Sequence, residues 1–240
     1  MPPPPEVTRA PEVTHVIFDM DGVLLDTEPH YTAASAEVCR RYGLEFTFAH
    51  KSRMLGRRAL PAADWLVAEL GLPMTGEDFL REREPLLDAL FLVAGPMPGA
   101  VELTQYLARE GVPHAVASSS SRRTFDIKTR AHADWFARFD ALVLGDDPEV
   151  HEGKPAPDIF LVAASRLGAA PEACLVVEDS PAGVAAARAA GMRVICVPDP
   201  NIEAALFPPA DQVLPSLSAF RPEDWGLPPF RIPADVEAAR

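Results

Sequence analysis

The chain has 240 residues, 48% hydrophobic and 24% charged, with a formal net charge of −13 and a pI near 4.9. That length holds one large domain, or a domain with an insertion, and enough apolar material for a core. Such acidity disfavours nucleic-acid binding and attachment to an anionic membrane, because both recruit positive surfaces. No apolar run approaches the roughly 18 residues of a membrane span, and the first residues lack the basic-then-apolar layout of a signal peptide, so no membrane association and a cytoplasmic location are expected. The odd set Cys39, Cys174 and Cys196 lacks metal-ligand spacing and lies among apolar neighbours, which reads as buried thiols.

In chain order, Pro2 to Pro5 begin a proline-rich arm over residues 1–12, expected to be disordered. Of the 26 prolines, 14 fall in residues 1–15 and 198–240, so the excess marks the ends and leaves the body free to form regular elements. Short apolar, β-branched runs at 15–18, 113–117, 141–144, 174–177 and 193–197 predict buried strands. Helical patterns at 100–110, 121–132, 158–167 and 181–190 alternate with them, three stopped by Gly111, Gly168 and Gly191. Another strand is expected near 212–214. The alternation predicts an α/β fold, a Rossmann-like parallel sheet with helices on both faces and ligands beyond the strands' carboxyl ends.

Residues 28–95 break that alternation. They carry only helical patterns, around 31–42, 60–70 and 77–91, and predict an all-helical cap domain inserted into a core of 13–27 and 96–230, with a tail over 231–240. Charge breaks with it: residues 40–58 are +5, which leaves −18 for the remainder.

Four motifs fall at predicted strand ends. Asp19-Met20-Asp21-Gly22 follows the first strand and projects two carboxylates to one side. Two such acids at a buried sheet edge are costly without a cation or proton, and Gly22 admits close backbone approach to a ligand; a plain turn with capping acids is the alternative. Ser118, Ser119 and Ser120 end the second strand, where hydroxyls and N–H groups suit a phosphate but also cap helices. Gly153-Lys154-Pro155 holds one of only three lysines, with Lys51 and Lys128, in a chain that otherwise uses arginine; either a point charge is wanted there or the lysine is incidental. Glu178-Asp179-Ser180-Pro181 ends a strand and opens a helix, as an oxygen-rich Mg²⁺ site or a helix cap.

In this order the motifs resemble those of haloacid-dehalogenase-superfamily phosphohydrolases, and 18–28 resembles the first motif of the helical-cap subgroup. A narrower likeness, to the branch of pseudouridine-5′-phosphatases and plant glycerol-3-phosphatases, runs through Met97-Pro98-Gly99-Ala100, Phe125-Asp126-Ile127-Lys128-Thr129, 145–150, 153–161 and Gly226-Leu227-Pro228. Ser118 stands where this branch often has threonine, so the hydroxyl is kept.

The resemblance implies a Mg²⁺-dependent phosphatase working through an aspartyl-phosphate. Asp19 is then the nucleophile and Asp21 the acid and base. Mg²⁺ is held by Asp19, the Asp21 carbonyl and Asp179, with Glu178 beside it. Lys154 neutralises charge, and Ser118, Ser119 and Gly22 meet the phosphoryl group. In the cap, Gly56, Arg57 and Arg58 are expected to meet the rest of the substrate. That substrate is a small phosphomonoester, first pseudouridine 5′-phosphate, then glycerol 3-phosphate. A sugar phosphomutase, which shares all four motifs, is the isomerase alternative. A monomer is expected.

Overall fold

The computed structural model describes residues 12–54, 59–200 and 202–230. Six parallel strands form one sheet in the order β3-β2-β1-β4-β5-β6. They are β1 (His15–Phe18), β2 (His114–Ser118), β3 (Ala141–Leu144), β4 (Cys174–Glu178), β5 (Arg193–Cys196) and β6 (Gln212–Val213). The helices are α1 (Glu28–Arg41), α2 (Phe48–Met54), α3 (Ala59–Leu70), α4 (Gly76–Phe91), α5 (Ala100–Arg109), α6 (Arg122–Lys128), α7 (Ala133–Phe136), α8 (Asp158–Leu167) and α9 (Pro181–Ala189). The α/β architecture expected from the alternation is present.

Burial on both faces explains why the strands read as unbroken apolar runs. Val16 and Phe18 point into a core formed with Leu103, Tyr106 and Leu107 of α5 and with Phe220 and Trp225 of the C-terminal wrap. Ile17, between them, points the other way, against Ile159 and Phe160 of α8 and Val184 of α9. Each such side chain, fully buried, contributes roughly 1.5–3 kcal/mol.

Between β1 and β2 the chain leaves the sheet for four helices. This insert has its own core of Val38, Cys39, Ala63, Leu66, Leu72 and Phe79. A second cluster, Ala34, Leu87 and Phe91, touches Ile127 of α6 and joins insert to sheet. Arg123 of α6 reinforces the junction with a 2.9 Å contact to Glu84 of α4 and a further pairing to Asp88. Thr75 and Asp78 start α4 with reciprocal side-chain-to-backbone bonds.

Two expectations are corrected. The helix predicted over 121–132 stops at Lys128, and a 3₁₀ turn (Arg130–His132) and the short α7 replace its second half. Tertiary contacts supply the reason: past Thr129 the His132 ring bonds the Ala94 carbonyl at 2.7 Å and the Trp135 indole N–H donates to the Thr104 hydroxyl at 2.8 Å, which draws the chain off the helix axis. The insert also carries α2, which has no buried residue and therefore no apolar stripe to betray it. The proline-rich arm (apart from Glu12), the tail 231–240 and residues 55–58 lie outside the described residues. Among the described residues, no helix is long and apolar enough to cross a membrane.

Candidate active site

The register of β1 against β4 pairs Phe18 with Val177, so Asp19 and Glu178 leave the sheet side by side. The Asp19 backbone N–H donates to the Val177 carbonyl at 2.9 Å, and the residue is only 7% exposed. Lys154 enters from the turn before α8. Its ammonium donates to Asp19 Oδ1 at 2.5 Å, Glu178 Oε1 at 2.6 Å and the Ala117 carbonyl at 3.1 Å, and it lies 4.8 Å from the Phe160 ring centre. Glu178 is fully buried, and its other oxygen accepts from the N–H groups of Asp179 and Ser180 and the Ser180 hydroxyl, each at 3.0 Å. The residue expected beside a cation thus spends its carboxylate on Lys154 and the start of α9.

Asp21 is held by a different set. Thr27 donates to it at 2.7 Å and Ser120 at 3.2 Å. Lys128 Nζ reaches both carboxylate oxygens, at 2.6 and 2.8 Å. The Lys128 side chain has no exposed surface. Its ammonium also lies 3.2 Å from the Tyr31 hydroxyl and 4.5 Å from the Phe91 ring centre, so two residues of the insert enclose the cation that grips Asp21.

The charge balance differs at the two acids. Burial pushes the Asp19 carboxyl up to about 7 against the pull of Lys154, with the Glu178 and Asp21 charges adding to the rise. Burial, with Glu178 and Asp19 nearby, also raises Asp179 well above the carboxylate range. At Asp21 burial acts in the same sense, but Lys128 and the Thr27 and Ser120 hydroxyls outweigh it and hold the acid below its ordinary value. Lys154, opposed by burial, is raised by Asp19 and Glu178 and stays charged. One ammonium therefore faces three acids: Asp19, Glu178 and Asp179.

That deficit of positive charge is what a divalent cation relieves. No hydrogen bond or ion pair reaches the Asp179 carboxylate among the described residues. Gly22 has φ +79°, and a Cβ there would lie 2.1 Å from Asp179 Oδ2, so only glycine lets this acid close on the Asp19–Asp21 turn. No three His, Cys, Asp or Glu side chains among the described residues form a ready metal cluster. Two carboxylates and a backbone carbonyl are nevertheless a donor set that suits Mg²⁺, which keeps waters and takes substrate oxygens.

Of the residues singled out in the sequence, Asp19, Asp21, Gly22, Ser118, Lys154, Glu178 and Asp179 gather at this one sheet edge. Ser118 is fully buried, its hydroxyl accepting from the Ser120 N–H at 3.2 Å, and Ser119 is exposed at the same edge. Gly56, Arg57 and Arg58 lie outside the described residues. Thr27, Tyr31 and Lys128 were missed as site residues, and Ser120, expected only as part of a phosphate-holding serine run, bonds Asp21 instead. The scarcity of lysine was a usable signal for Lys128, because all three lysines sit on acids of this region, Lys51 on Glu28 at 3.3 Å.

A doubly wound sheet with paired acids after its first strand and a buried lysine on the first of them defines a hydrolase class. The chain belongs to the haloacid dehalogenase-like hydrolase family, whose model matches residues 13–191. Within that family it is a phosphatase of phosphoric monoesters. It is 47% identical over 224 residues to (DL)-glycerol-3-phosphatase 1, mitochondrial, of Arabidopsis thaliana, covering 91% of this chain and 75% of that protein. It is 45% identical over 222 residues to the probable pseudouridine-5′-phosphatase of Drosophila melanogaster, covering 91% and 96%. Among solved structures, a HAD family hydrolase from Deinococcus radiodurans R1 with bound phosphate and sodium superposes with a TM-score of 0.75 at 27% identity, covering 92% of this chain and 100% of that one.

Proposed function

We propose that the protein is a Mg²⁺-dependent phosphatase that hydrolyses a small phosphomonoester through an aspartyl-phosphate on Asp19. The observation that carries the reading is the division of labour between the two acids: Asp19 on Lys154, Asp21 two residues on and held apart by Lys128. In the first step an Asp19 oxygen bonds to phosphorus as the bond to the leaving oxygen breaks, and Asp21 gives that oxygen a proton from its acid form, the minor one in the resting site because Lys128 favours the carboxylate. In the second, water attacks phosphorus, Asp21 takes its proton, and the bond to Asp19 breaks. Lys154 neutralises Asp19 and the phosphoryl oxygens, while Ser118 and the N–H groups after β2 hold those oxygens. Asp19, Asp179 and the Asp21 carbonyl would hold Mg²⁺, which supplies Lewis-acid neutralisation of the phosphoryl charge.

The four-helix insert acts as a cap that excludes water and receives the leaving group. Pseudouridine 5′-phosphate is the favoured substrate, with glycerol 3-phosphate second because the Arabidopsis relative at 47% identity bears that name. The test is phosphate release over nucleotide, polyol and sugar monophosphates, with Mg²⁺ and with EDTA. Asp19→Asn is expected to abolish turnover without unfolding the protein, and ordinary activity in that variant overturns the nucleophile assignment. In the hexose 1-phosphate arm, formation of hexose 6-phosphate in place of free phosphate would make the protein a mutase.

A further inference from the structure

The helical insert bears an open cavity of about 300 Å³ whose lining includes the charged residues Glu28, Lys51 and Arg83 and the apolar ones Tyr31, Phe46 and Met54. Its floor adjoins the proposed acid. Glu28 follows Thr27, which donates to Asp21, and the Tyr31 hydroxyl lies 3.2 Å from the Lys128 ammonium that grips the same carboxylate. Two lining residues, Glu28 and Tyr31, thus stand next to groups that hold the acid serving the leaving oxygen.

Arg83 of α4 stands out among the lining residues. None of its guanidinium nitrogens has a hydrogen-bond or ion-pair partner among the described residues; Nε is sealed from solvent, and the two terminal nitrogens are the donors left for a ligand. The guanidinium carbon lies 5.7 Å from the Tyr31 ring centre and 5.8 Å from that of Phe79, so two aromatic faces hold the group in place. Buried donors without acceptors are rare and destabilising, and an arginine held with donors unspent is a recognition element. Glu28 offers the opposite chemistry: acceptor oxygens, one of them 3.3 Å from Lys51.

The volume narrows the ligand. At about 300 Å³ the cavity is at the lower end of the range for pockets that enclose a small organic molecule. Three-carbon glycerol would leave most of it empty, whereas a nucleoside would fill it. We propose that this cavity is the leaving-group pocket and that Arg83, opposite Glu28, makes it selective for a planar ring with carbonyl acceptors beside N–H donors, the chemistry of a pyrimidine-type base. The aromatic wall then packs on the ring, Arg83 donates to a carbonyl oxygen, and Glu28 accepts from a ring N–H. This inference rests on the phosphatase reading above and adds the group that sets its preference.

The test compares wild type, Arg83→Met and Arg83→Lys on pseudouridine 5′-phosphate and glycerol 3-phosphate, reading KM and kcat separately. Calorimetric titration of the same two compounds into Asp19→Asn protein, with and without the Arg83 change, reads binding without turnover. Arg83→Met is expected to lower the nucleotide-to-glycerol ratio of kcat/KM by about tenfold or more, mostly through KM, as loss of one charge-assisted hydrogen bond should. Arg83→Lys restores part of it. An equal loss on both substrates, or no change on the nucleotide, overturns the assignment, because a merely structural arginine would not alter the ratio. If Arg83→Met fails to fold, Arg83→Lys decides alone: the ratio falls or the proposal does. Failure of the phosphatase reading shows separately, as a wild type that releases phosphate from neither compound, and it takes this proposal with it.

Discussion

Asp19→Asn is expected to stabilise the metal-free protein while destroying its activity. Burial holds the Asp19 carboxyl at about 7 in the fold, against an ordinary value of 3.8. A group raised on folding contributes its stability below the unfolded value and loses it as pH climbs through the folded one. Asparagine has nearly the same shape and carries no charge to lose. At about 1.36 kcal/mol per pH unit, the advantage of the variant over wild type grows from about 2 kcal/mol at pH 5 to a ceiling of about 4 kcal/mol at pH 8. With a urea m value of roughly 2–3 kcal/mol per molar, the pH 8 ceiling corresponds to a midpoint shift of about 1.3–2 M. The assay is urea unfolding of both proteins in EDTA at pH 5, 6.5 and 8, followed by circular dichroism. Saturating Mg²⁺ should then stabilise wild type more than the variant and narrow the gap. A variant no more stable than wild type at pH 8 in EDTA, or a difference that does not change with pH, would refute the claim that Asp19 carries an unrelieved charge.

Two further outcomes follow from the geometry. Lys128→Met removes the cation that fixes Asp21 in place and favours its carboxylate, so kcat on an alkyl phosphate should fall by about 10² or more through lost positioning, while the pH below which Asp21 stays protonated moves up. p-Nitrophenyl phosphate, whose leaving group needs little help from an acid, should lose less in the first step, read as the burst of nitrophenol, and as much in hydrolysis of the aspartyl-phosphate. Breaking that buried pair should also cost about 3 kcal/mol of stability, read by urea unfolding. Gly22→Ala places a Cβ against Asp179 at a φ of +79°, and it should raise the Mg²⁺ concentration for half-maximal phosphate release by about tenfold, the displacement of one ligand group being enough.

How much of the fold could be read from the residues depended on whether burial was periodic. The strands were legible because a parallel sheet covered on both faces buries every successive residue, as in Val16, Ile17 and Phe18. Helix α2 was not, because its seven residues bury nothing and so carry no stripe. The premature end of α6 was equally hidden: it goes with contacts of His132 to Ala94 and of Trp135 to Thr104 that a period-of-3.6 pattern does not record.

The site divides along a similar line. Residues at the carboxyl ends of strands were found because topology alone brings those ends to one edge, so Asp19, Ser118 and Asp179 meet whatever the side-chain details. Lys128 follows no such rule: it sits 107 residues from Asp21 and reaches it from a helix that packs on the insert. What marked it was composition. Of 22 basic side chains only three are lysine, and they stand on Glu28, on Asp21 and on Asp19 with Glu178. The physical reason lies in shape. Lys128 and Lys154 each occupy a buried slot between carboxylate oxygens and an aromatic face, 4.5 Å from Phe91 and 4.8 Å from Phe160. A compact ammonium fits such a slot and points all its donors inward, whereas a planar guanidinium needs a wider one. Arg83, with two rings flanking it and a cavity in front, has that wider slot. Lys128 and Lys154 thus hold the acids at the sheet edge, whereas Arg83 lines the cavity of the insert together with Lys51.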